Sequence, residues 1–104
     1  MRQAGVYNHG ELSGILSLND EGVYNFKYFK NYNGPSISLT MPIRSEHYVY
    51  HNFPPFFDGL LPEGNQLEAL LKVAKLDRYD LFGQLVTVGQ DLVGSITVKE
   101  VRDE

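Results

Sequence analysis

The sequence contains no cysteine, which excludes disulfide bonds and thiolate metal sites. It also lacks a long apolar run, because no window approaches the roughly 20 apolar residues that a membrane-spanning helix needs. Met1 is followed by Arg2 and Gln3 and not by the apolar stretch of a secretory signal. These absences favour a soluble chain in a reducing, cytoplasmic environment.

Positive charge is scarce as well. The 104 residues include 9 Lys and Arg against 13 Asp and Glu, a formal net charge of -4. The basic residues are scattered, and only Lys72, Lys75 and Arg78 lie close together in the sequence. Nucleic-acid binding draws much of its affinity from Lys and Arg that neutralise phosphates, so this charge balance argues against direct binding to DNA or RNA.

The first third of the chain alternates apolar and polar residues, the period of a strand with one face on a core. The predicted strands span residues 3–7, 12–18 and 23–28. A turn is expected at residues 8–10, and Leu12, Leu16 and Leu18 are expected on one face of the second strand. The pattern predicts an antiparallel meander.

A fourth strand is predicted from Ile37, Leu39 and Met41, which alternate with polar residues until Pro42 removes a backbone donor. Residues 43–52 fit either a strand or an extended loop.

Two prolines followed by aromatic residues predict a short helix after Phe53, because proline is tolerated in the first turn, and Pro62 is expected to end it. Phe53, Phe56 and Phe57 fit a core cluster or a patch for a partner.

The clearest helical pattern comes next, with apolar residues at helical spacing: Leu67, Leu70, Leu71 and Ala74. Asn65 lies where an N-cap is expected, with Glu68 in capping-box position. Glu68 and Lys72 are four residues apart, a favourable spacing for an ion pair on the helix surface.

A third helix is predicted to begin near Asp77 or Asp80 and to end at Gly89, with an apolar side formed by Leu81, Phe82, Leu85 and Val88. Ile96 and Val98 predict a last strand, and the charged residues 100–104 are expected to fray. The fold class is therefore α+β, with a small, mostly antiparallel sheet packed with two to three helices, in a single domain over residues 1–104.

Catalytic chemistry finds little support in the residue pattern. His47 and His51 have the spacing of a zinc pair, but the sequence offers no evident third ligand. Asp58 and Glu63 could form a catalytic acid and base pair, but the pattern favours a structural role for each. Asp58 suits the turn before Gly59, and Glu63 suits the start of a helix, where the dipole is positive. Residues 89–94 have the outer glycine spacing of a phosphate loop without the Lys that follows it. We predict no catalytic, metal-binding or cofactor-binding residue.

Several segments, in order, resemble the N-terminal subdomain of HipA-type serine/threonine kinase toxins. They are residues 22–28 (GVYNFKY), 37–42 (ISLTMP), 56–64 (FFDGLLPEG), 82–85 (FGQL), 89–91 (GQD) and 94–95 (GS). Gly59 departs from the Asn that is common in the family's Phe-Phe-Asp-Asn-Leu-Leu-Pro block. The resemblance covers nearly the whole chain, and as a free-standing protein the chain resembles the HipS component of bacterial HipB-HipS-HipT toxin–antitoxin systems.

This resemblance implies a division of labour. The sequence ends at Glu104, before the nucleotide loop and catalytic Asp of a HipA-type kinase, so we expect no enzyme activity. The implied function is that of an antitoxin that binds and neutralises a separately encoded HipT-like kinase, while a HipB-like protein supplies DNA binding in a larger complex. The alternative is a scaffolding or activating subunit that does not inhibit the kinase.

The expected contact with the kinase is the corner before the second helix. Its residues are Pro62, Glu63, Gly64, Asn65 and Gln66. Free N–H groups and the positive end of the helix dipole would face the partner there. The competing interpretation is a capped turn without a partner.

Overall fold

A computed structural model describes residues 1–92 and 94–101. In this part of the chain the sheet has five strands in the order β4-β3-β2-β1-β5, and every neighbouring pair is antiparallel. The strands are β1 (Arg2–Asn8), β2 (Glu11–Leu18), β3 (Tyr24–Tyr28), β4 (Tyr48–Tyr50) and β5 (Ile96–Val101). The helices are α1 (Pro55–Asp58), α2 (Gly64–Ala74) and α3 (Leu81–Val88). The predicted α+β class, with a meander and a returning last strand, is confirmed.

The turn between β1 and β2 is set by local backbone conformation. His9 and Gly10 both have positive φ, 51° and 80°. Positive φ at both central residues is the signature of a type I′ hairpin turn, whose twist matches that of the strands. The predicted turn at residues 8–10 is confirmed.

A bulge in β2 corrects the predicted apolar face of that strand. Val6 lies opposite Gly14 and Tyr7 opposite Leu12, so Ser13 is an extra residue in the ladder. The extra residue sends Leu12 to the opposite side from Leu16, since facing alternates along a strand. Leu16 is buried, whereas Leu12 is 38% exposed.

The predicted fourth strand at residues 37–41 is wrong. This segment makes only an isolated bridge between Ser38 and Met41, and Leu39 is fully exposed. The Ser38 hydroxyl accepts a hydrogen bond from the Thr40 amide at 3.1 Å, and such local bonds favour a turn over a strand. The place beside β3 belongs to β4, in the region that fitted either a strand or a loop.

The core lies on one face of the sheet. Ala4, Leu16, Phe26 and Tyr48 lie opposite one another across β1 to β4. The helices add the buried side chains of Phe57 from α1 and of Phe82 and Leu85 from α3. Helix α2 adds no buried side chain.

The third helix follows the prediction, with Asp80 as its N-cap and Gly89 as its C-cap. Gly89 has φ of -55°, a conformation open to any residue. A Cβ at this position would overlap the Val98 carbonyl, and the Gly89 carbonyl accepts a hydrogen bond from the Val98 amide at 2.9 Å. Glycine is required here by the close approach of α3 to β5.

The last strand runs further than predicted. Glu100 and Val101 were expected to fray, but they pair with Ala4 and Gln3 of β1. The rest of the predicted tail, residues 102–104, lies outside the described residues. Among the described residues, no helix has the length and apolar character needed to cross a membrane.

Candidate partner-binding surface

The corner between α1 and α2 begins where α1 ends. The first helix stops at Asp58, ahead of Pro62, and the chain continues through turns in which Leu60 and Leu61 donate to the carbonyls of Phe57 and Asp58. These bonds hold Leu60 and Leu61 against the core, half-buried. Pro62 follows, half-buried, and the chain then turns outward.

The start of α2 differs from the prediction. The helix begins at Gly64, with Glu63 as its N-cap residue in extended conformation and without a capping hydrogen bond from its side chain. Gly64 has φ of 58°, in the left-handed region that favours glycine, so the chain reverses there and α2 starts before Asn65. Asn65 lies inside the first turn, and its predicted role as N-cap is wrong.

Glu68 does not complete a capping box either. Both of its carboxylate oxygens accept hydrogen bonds from Arg78, each at 2.7 Å, and in the described part of the chain this is its ion pair, in place of the predicted pair with Lys72. Hydrogen bonds from Arg78 hold the pKa of the Glu68 carboxyl below its ordinary value. The pair ties α2 to the segment that leads into α3.

The polar side chains of the corner are unengaged. Glu63, Asn65 and Gln66 are exposed, and their side chains form no hydrogen bond or ion pair with any described residue. The backbone amides of Asn65 and Gln66 also lack an acceptor within residues 1–92 and 94–101. These amides belong to the first turn of a helix, where donors have no partner inside the helix and the dipole is positive.

A groove of about 540 Å³ adjoins the corner. It is shared by the end of α1, the start of α2 and the end of α3. Its lining residues are Gly59, Leu60, Leu61, Pro62, Gln66, Val88, Asp91 and Leu92. We call residues 62–66 together with this groove the corner surface. It combines an apolar floor with Gln66 and Asp91 as polar side chains.

The apolar face of α2 follows the corner in the sequence. Leu67, Leu70, Leu71 and Ala74 are only half-buried, and they are absent from the set of side chains that pack against the core. An amphipathic helix normally buries such a stripe. The described chain leaves this stripe partly open to solvent.

The two other residue pairs with the spacing of a site, His47 with His51 and Asp58 with Glu63, belong to no metal-binding group among the described residues. His47 contacts the Asn25 side chain at 2.5 Å, while His51 is exposed beyond β4. Asp58 and Glu63 are both exposed at their helix ends. Among the described residues no group of three or more His, Cys, Asp or Glu is placed to hold a metal ion.

The aromatic residues near α1 belong with the core. Phe57 is fully buried, and Phe53 and Phe56 pack against the core while half-buried. Of the two interpretations left open for them, the structure favours the core. The glycine-spaced segment 89–94 includes Val93, which lies outside the described residues.

Sequence reasoning missed a second concave surface, in which Lys27, Lys30 and Arg44 line one groove. The loop after β3 folds back and brings Arg44 beside the two lysines. No spacing rule connects these positions, so the sequence carries no local signal for the cluster.

The fold is that of a small α+β domain, and the corner surface is an exposed part of it. Residues 4–99 match the family described as HipA N-terminal domain, and the chain belongs to that family. A solved structure entitled "N-terminal domain of HipA toxin" has a TM-score of 0.80 and 28% identity, and the match covers 100% of this chain and 96% of that chain.

A protein of Haemophilus influenzae is also similar, with 28% identity over 100 residues, which is 96% of this chain and 93% of the relative. The predicted resemblance, to a small HipS-like domain, is confirmed. The similarity is to the N-terminal, non-catalytic part of HipA and relates the chain to HipA toxin–antitoxin components. A role for residues 62–66 in partner binding stays a prediction.

Proposed function

We propose that the chain is a HipS-type antitoxin, which binds and neutralises a separately encoded HipT-like serine/threonine kinase. A HipB-like protein supplies DNA binding in the larger complex, and the chain itself is not an enzyme. The observation that carries this proposal is the match of the whole chain to the N-terminal domain of the HipA toxin, at a TM-score of 0.80. A domain that lies in one polypeptide with a kinase core in HipA is suited to dock on a related kinase in trans.

The corner surface is the proposed contact. Support comes from the unengaged side chains of Glu63, Asn65 and Gln66 and from the free amides at the start of α2. Protein interfaces combine apolar side chains with polar ones at their rim, and the groove beside Pro62 is lined by apolar residues together with the polar Gln66 and Asp91.

Two kinds of contact contribute to such docking. The apolar side chains of the groove and the open face of α2 supply contact area, while the first-turn amides of α2 donate hydrogen bonds to carboxylates of the kinase. Inhibition then results from occlusion of the kinase site or from stabilisation of an inactive kinase conformation.

The first test is co-expression with the HipT-like kinase of the same organism. We expect growth to be restored and kinase activity in the purified complex to be lower than that of the kinase alone. Binding with unchanged or increased kinase activity would instead establish the scaffolding or activating role and refute neutralisation.

The second test addresses the corner itself. The triple variant Glu63→Ala, Asn65→Ala, Gln66→Ala is expected to bind the kinase about tenfold or more weakly, because interface energy concentrates in a few central residues. Its thermal stability should change little, since these side chains are exposed and unbonded in the described structure.

A matched control removes the same kinds of side chain elsewhere. The variant Glu21→Ala, Asn31→Ala, Asn33→Ala removes one carboxylate and two carboxamides at exposed positions that neither line the groove nor adjoin a lining residue in the sequence. It should neutralise the kinase as well as the native chain does. Equal neutralisation by both triple variants would exclude the corner as the contact while leaving the antitoxin role intact.

A further inference from the structure

A basic groove lies beside β3, away from the corner surface. It has a volume of about 330 Å³, and its walls include Lys27 and Lys30 from the end of β3 and Ile43 and Arg44 from the returning loop. Phe29 also lines it. We call these five residues the basic groove.

The cations of the basic groove have no carboxylate partner. Within residues 1–92 and 94–101, salt bridges engage the N-terminus, Arg2 and Arg78, and none engages Lys27, Lys30 or Arg44. No Asp or Glu lines the groove among the described residues. The chain has a net charge of -4, so this is a local reversal of its overall charge.

Arg44 is held in place before any ligand arrives. Its guanidinium lies 3.7 Å from the centre of the Tyr48 ring. Its Nε donates to the Glu46 carbonyl at 3.4 Å and one Nη2 hydrogen to the His47 carbonyl at 2.9 Å. Guanidinium has five N–H donors, so three remain available among the described contacts. A fixed guanidinium loses little side-chain entropy when it binds an anion.

The lysines complete the positive wall. The Lys27 ammonium donates to the Ser45 carbonyl at 3.2 Å, which draws it toward the returning loop. This bond uses one of its three donors. Lys30 is exposed, and its ammonium has no hydrogen-bond partner in the described part of the chain.

Apolar surface lies between these charges. Phe29 and Ile43 are 41% and 43% exposed, a large fraction for apolar side chains that line a groove. The Phe29 backbone is fixed by a hydrogen bond from its amide to the Ser13 carbonyl at 2.9 Å. A ligand that fits must therefore present an apolar side chain together with negative groups.

We propose that the basic groove binds an acidic segment of a partner protein, in which Asp or Glu side chains flank an apolar residue. The carboxylates meet Lys27, Lys30 and Arg44, and the apolar residue covers Phe29 and Ile43. A nucleic acid fits less well, because the net charge of -4 repels a polyanion whose binding depends on many cations. The proposal does not depend on kinase binding, and the two grooves share no lining residue.

The test is selection of a display library of short random peptides against the whole chain. Peptides that combine acidic and apolar residues should be enriched, and their binding should weaken as salt is added. The variant Lys27→Glu, Lys30→Glu should lower the affinity of a selected peptide by about tenfold or more, because attraction becomes repulsion.

The matched control is Lys72→Glu, Lys99→Glu, which makes the same charge change at exposed positions outside the groove. It should leave peptide affinity within about twofold of the native value, since neither lysine lines the groove and interactions between exposed charges are screened with distance. Ile43→Ser should weaken binding without any change in charge, and circular dichroism checks that each variant is folded.

Three results would overturn the proposal. One is a selected pool without enrichment of Asp and Glu. Another is an equal loss of binding in both double-lysine variants, which indicates general electrostatics. The third is a single-stranded oligonucleotide that binds more tightly than the selected peptides and depends on Lys27 and Lys30.

Discussion

At the residue scale, Asp80 links the first strand to the third helix. Its carboxylate accepts hydrogen bonds from Arg2 Nη1 at 2.7 Å and from the Gly83 amide at 2.9 Å. The Arg2 guanidinium also lies 4.7 Å from the centre of the Phe82 ring. One partly exposed carboxylate thus caps α3 and fixes the cation that covers the helix's buried aromatic residue.

These contacts set the charge state of Asp80. Burial raises the pKa of the Asp80 carboxyl, but hydrogen bonds from Arg2 and Gly83, with the Arg2 charge, lower it by more, and the net pKa lies below the ordinary value. A folded-state pKa below the unfolded one means that the ionised carboxylate stabilises the fold. That stabilisation is full above the ordinary Asp pKa of about 3.9 and is lost as the pH falls through the folded-state value.

We therefore expect Asp80→Asn to lower the free energy of unfolding by about 0.5–1 kcal/mol at neutral pH, because the amide still caps α3 but the ion pair with a partly exposed Arg2 is lost. The difference from the native chain should begin to shrink below about pH 4, where the carboxyl of the unfolded chain is protonated, and should disappear as the pH falls through the lower folded-state pKa of Asp80. Urea denaturation at a series of pH values measures this difference in the free energy of unfolding.

The control for Asp80 is Asp91→Asn, an exposed carboxylate without a bonded partner among the described residues. It should change stability little at any pH in this range. A difference for Asp80→Asn that stays constant with pH would show that ionisation of this carboxyl is not coupled to folding.

At the element scale, α2 is attached to the molecule through Glu68 and the connection to α3 more than through its apolar face. Its apolar residues stay half-buried, whereas Gln84 of α3 is buried and donates to the Asp77 and Arg78 carbonyls at 3.3 and 2.9 Å. Arg78 in turn binds Glu68 of α2. Helix α2 therefore depends on the connection to α3 for its position.

Two leucine truncations distinguish the helices. Leu70→Ala in α2 should cost less than about 1.5 kcal/mol of unfolding free energy, because a half-buried side chain leaves little cavity. Leu85→Ala in α3 removes a fully buried side chain and should cost about 2–5 kcal/mol. Chemical denaturation of the two variants provides the comparison.

The same pair of variants bears on the proposed function. If the apolar face of α2 is buried by a kinase, Leu70→Ala should weaken kinase binding despite its small effect on the isolated chain. Equal costs for the two truncations in the isolated chain would contradict the peripheral placement of α2.

At the scale of the whole molecule, strands and helices share one core. Buried tyrosines contribute to it from β3, β4 and the loop between them: Tyr28, Tyr32 and Tyr48. The Tyr28 hydroxyl joins distant segments, because it accepts from the Ile37 amide at 3.0 Å and donates to the Met41 carbonyl at 2.5 Å. Sheet and loop are therefore expected to lose their structure together.

We predict a single two-state unfolding transition. Far-ultraviolet circular dichroism reports the secondary structure, while near-ultraviolet circular dichroism reports the buried tyrosines, and the two urea transitions should coincide. Transitions at separate urea concentrations would show that part of the chain unfolds independently, against the expectation of a single domain.

Sequence reasoning succeeded where a pattern is local. Alternation located β1, β2 and β3, helical spacing located α2 and α3, and the glycine at position 89 marked the end of α3. Sequence reasoning failed where contacts between residues far apart in the chain determine the local structure. Residues 37–41 have the alternation of a strand but form a turn that is hydrogen-bonded to the Tyr28 hydroxyl. Glu68 pairs with Arg78 and forms neither the predicted capping box nor the predicted pair with Lys72.

Only part of the corner surface could be predicted from local sequence patterns. The sequence predicts a corner at residues 62–66 because a proline and a glycine precede a helical pattern, which is local information. The groove beside them could not be predicted from the sequence, since two of its lining residues, Val88 and Leu92, come from α3 and the chain after it. Its existence depends on how two helices meet.

The sequence by itself determined the fold class, the family and the order of most elements, because periodicity, turn residues and motif spacing act over a few neighbouring residues. Only the tertiary structure decided which segment completes the sheet beside β3, how far the face of α2 stays open, and that Arg44 joins Lys27 and Lys30 in one groove. Those outcomes depend on packing and hydrogen bonds between residues far apart in the chain, which no local pattern encodes.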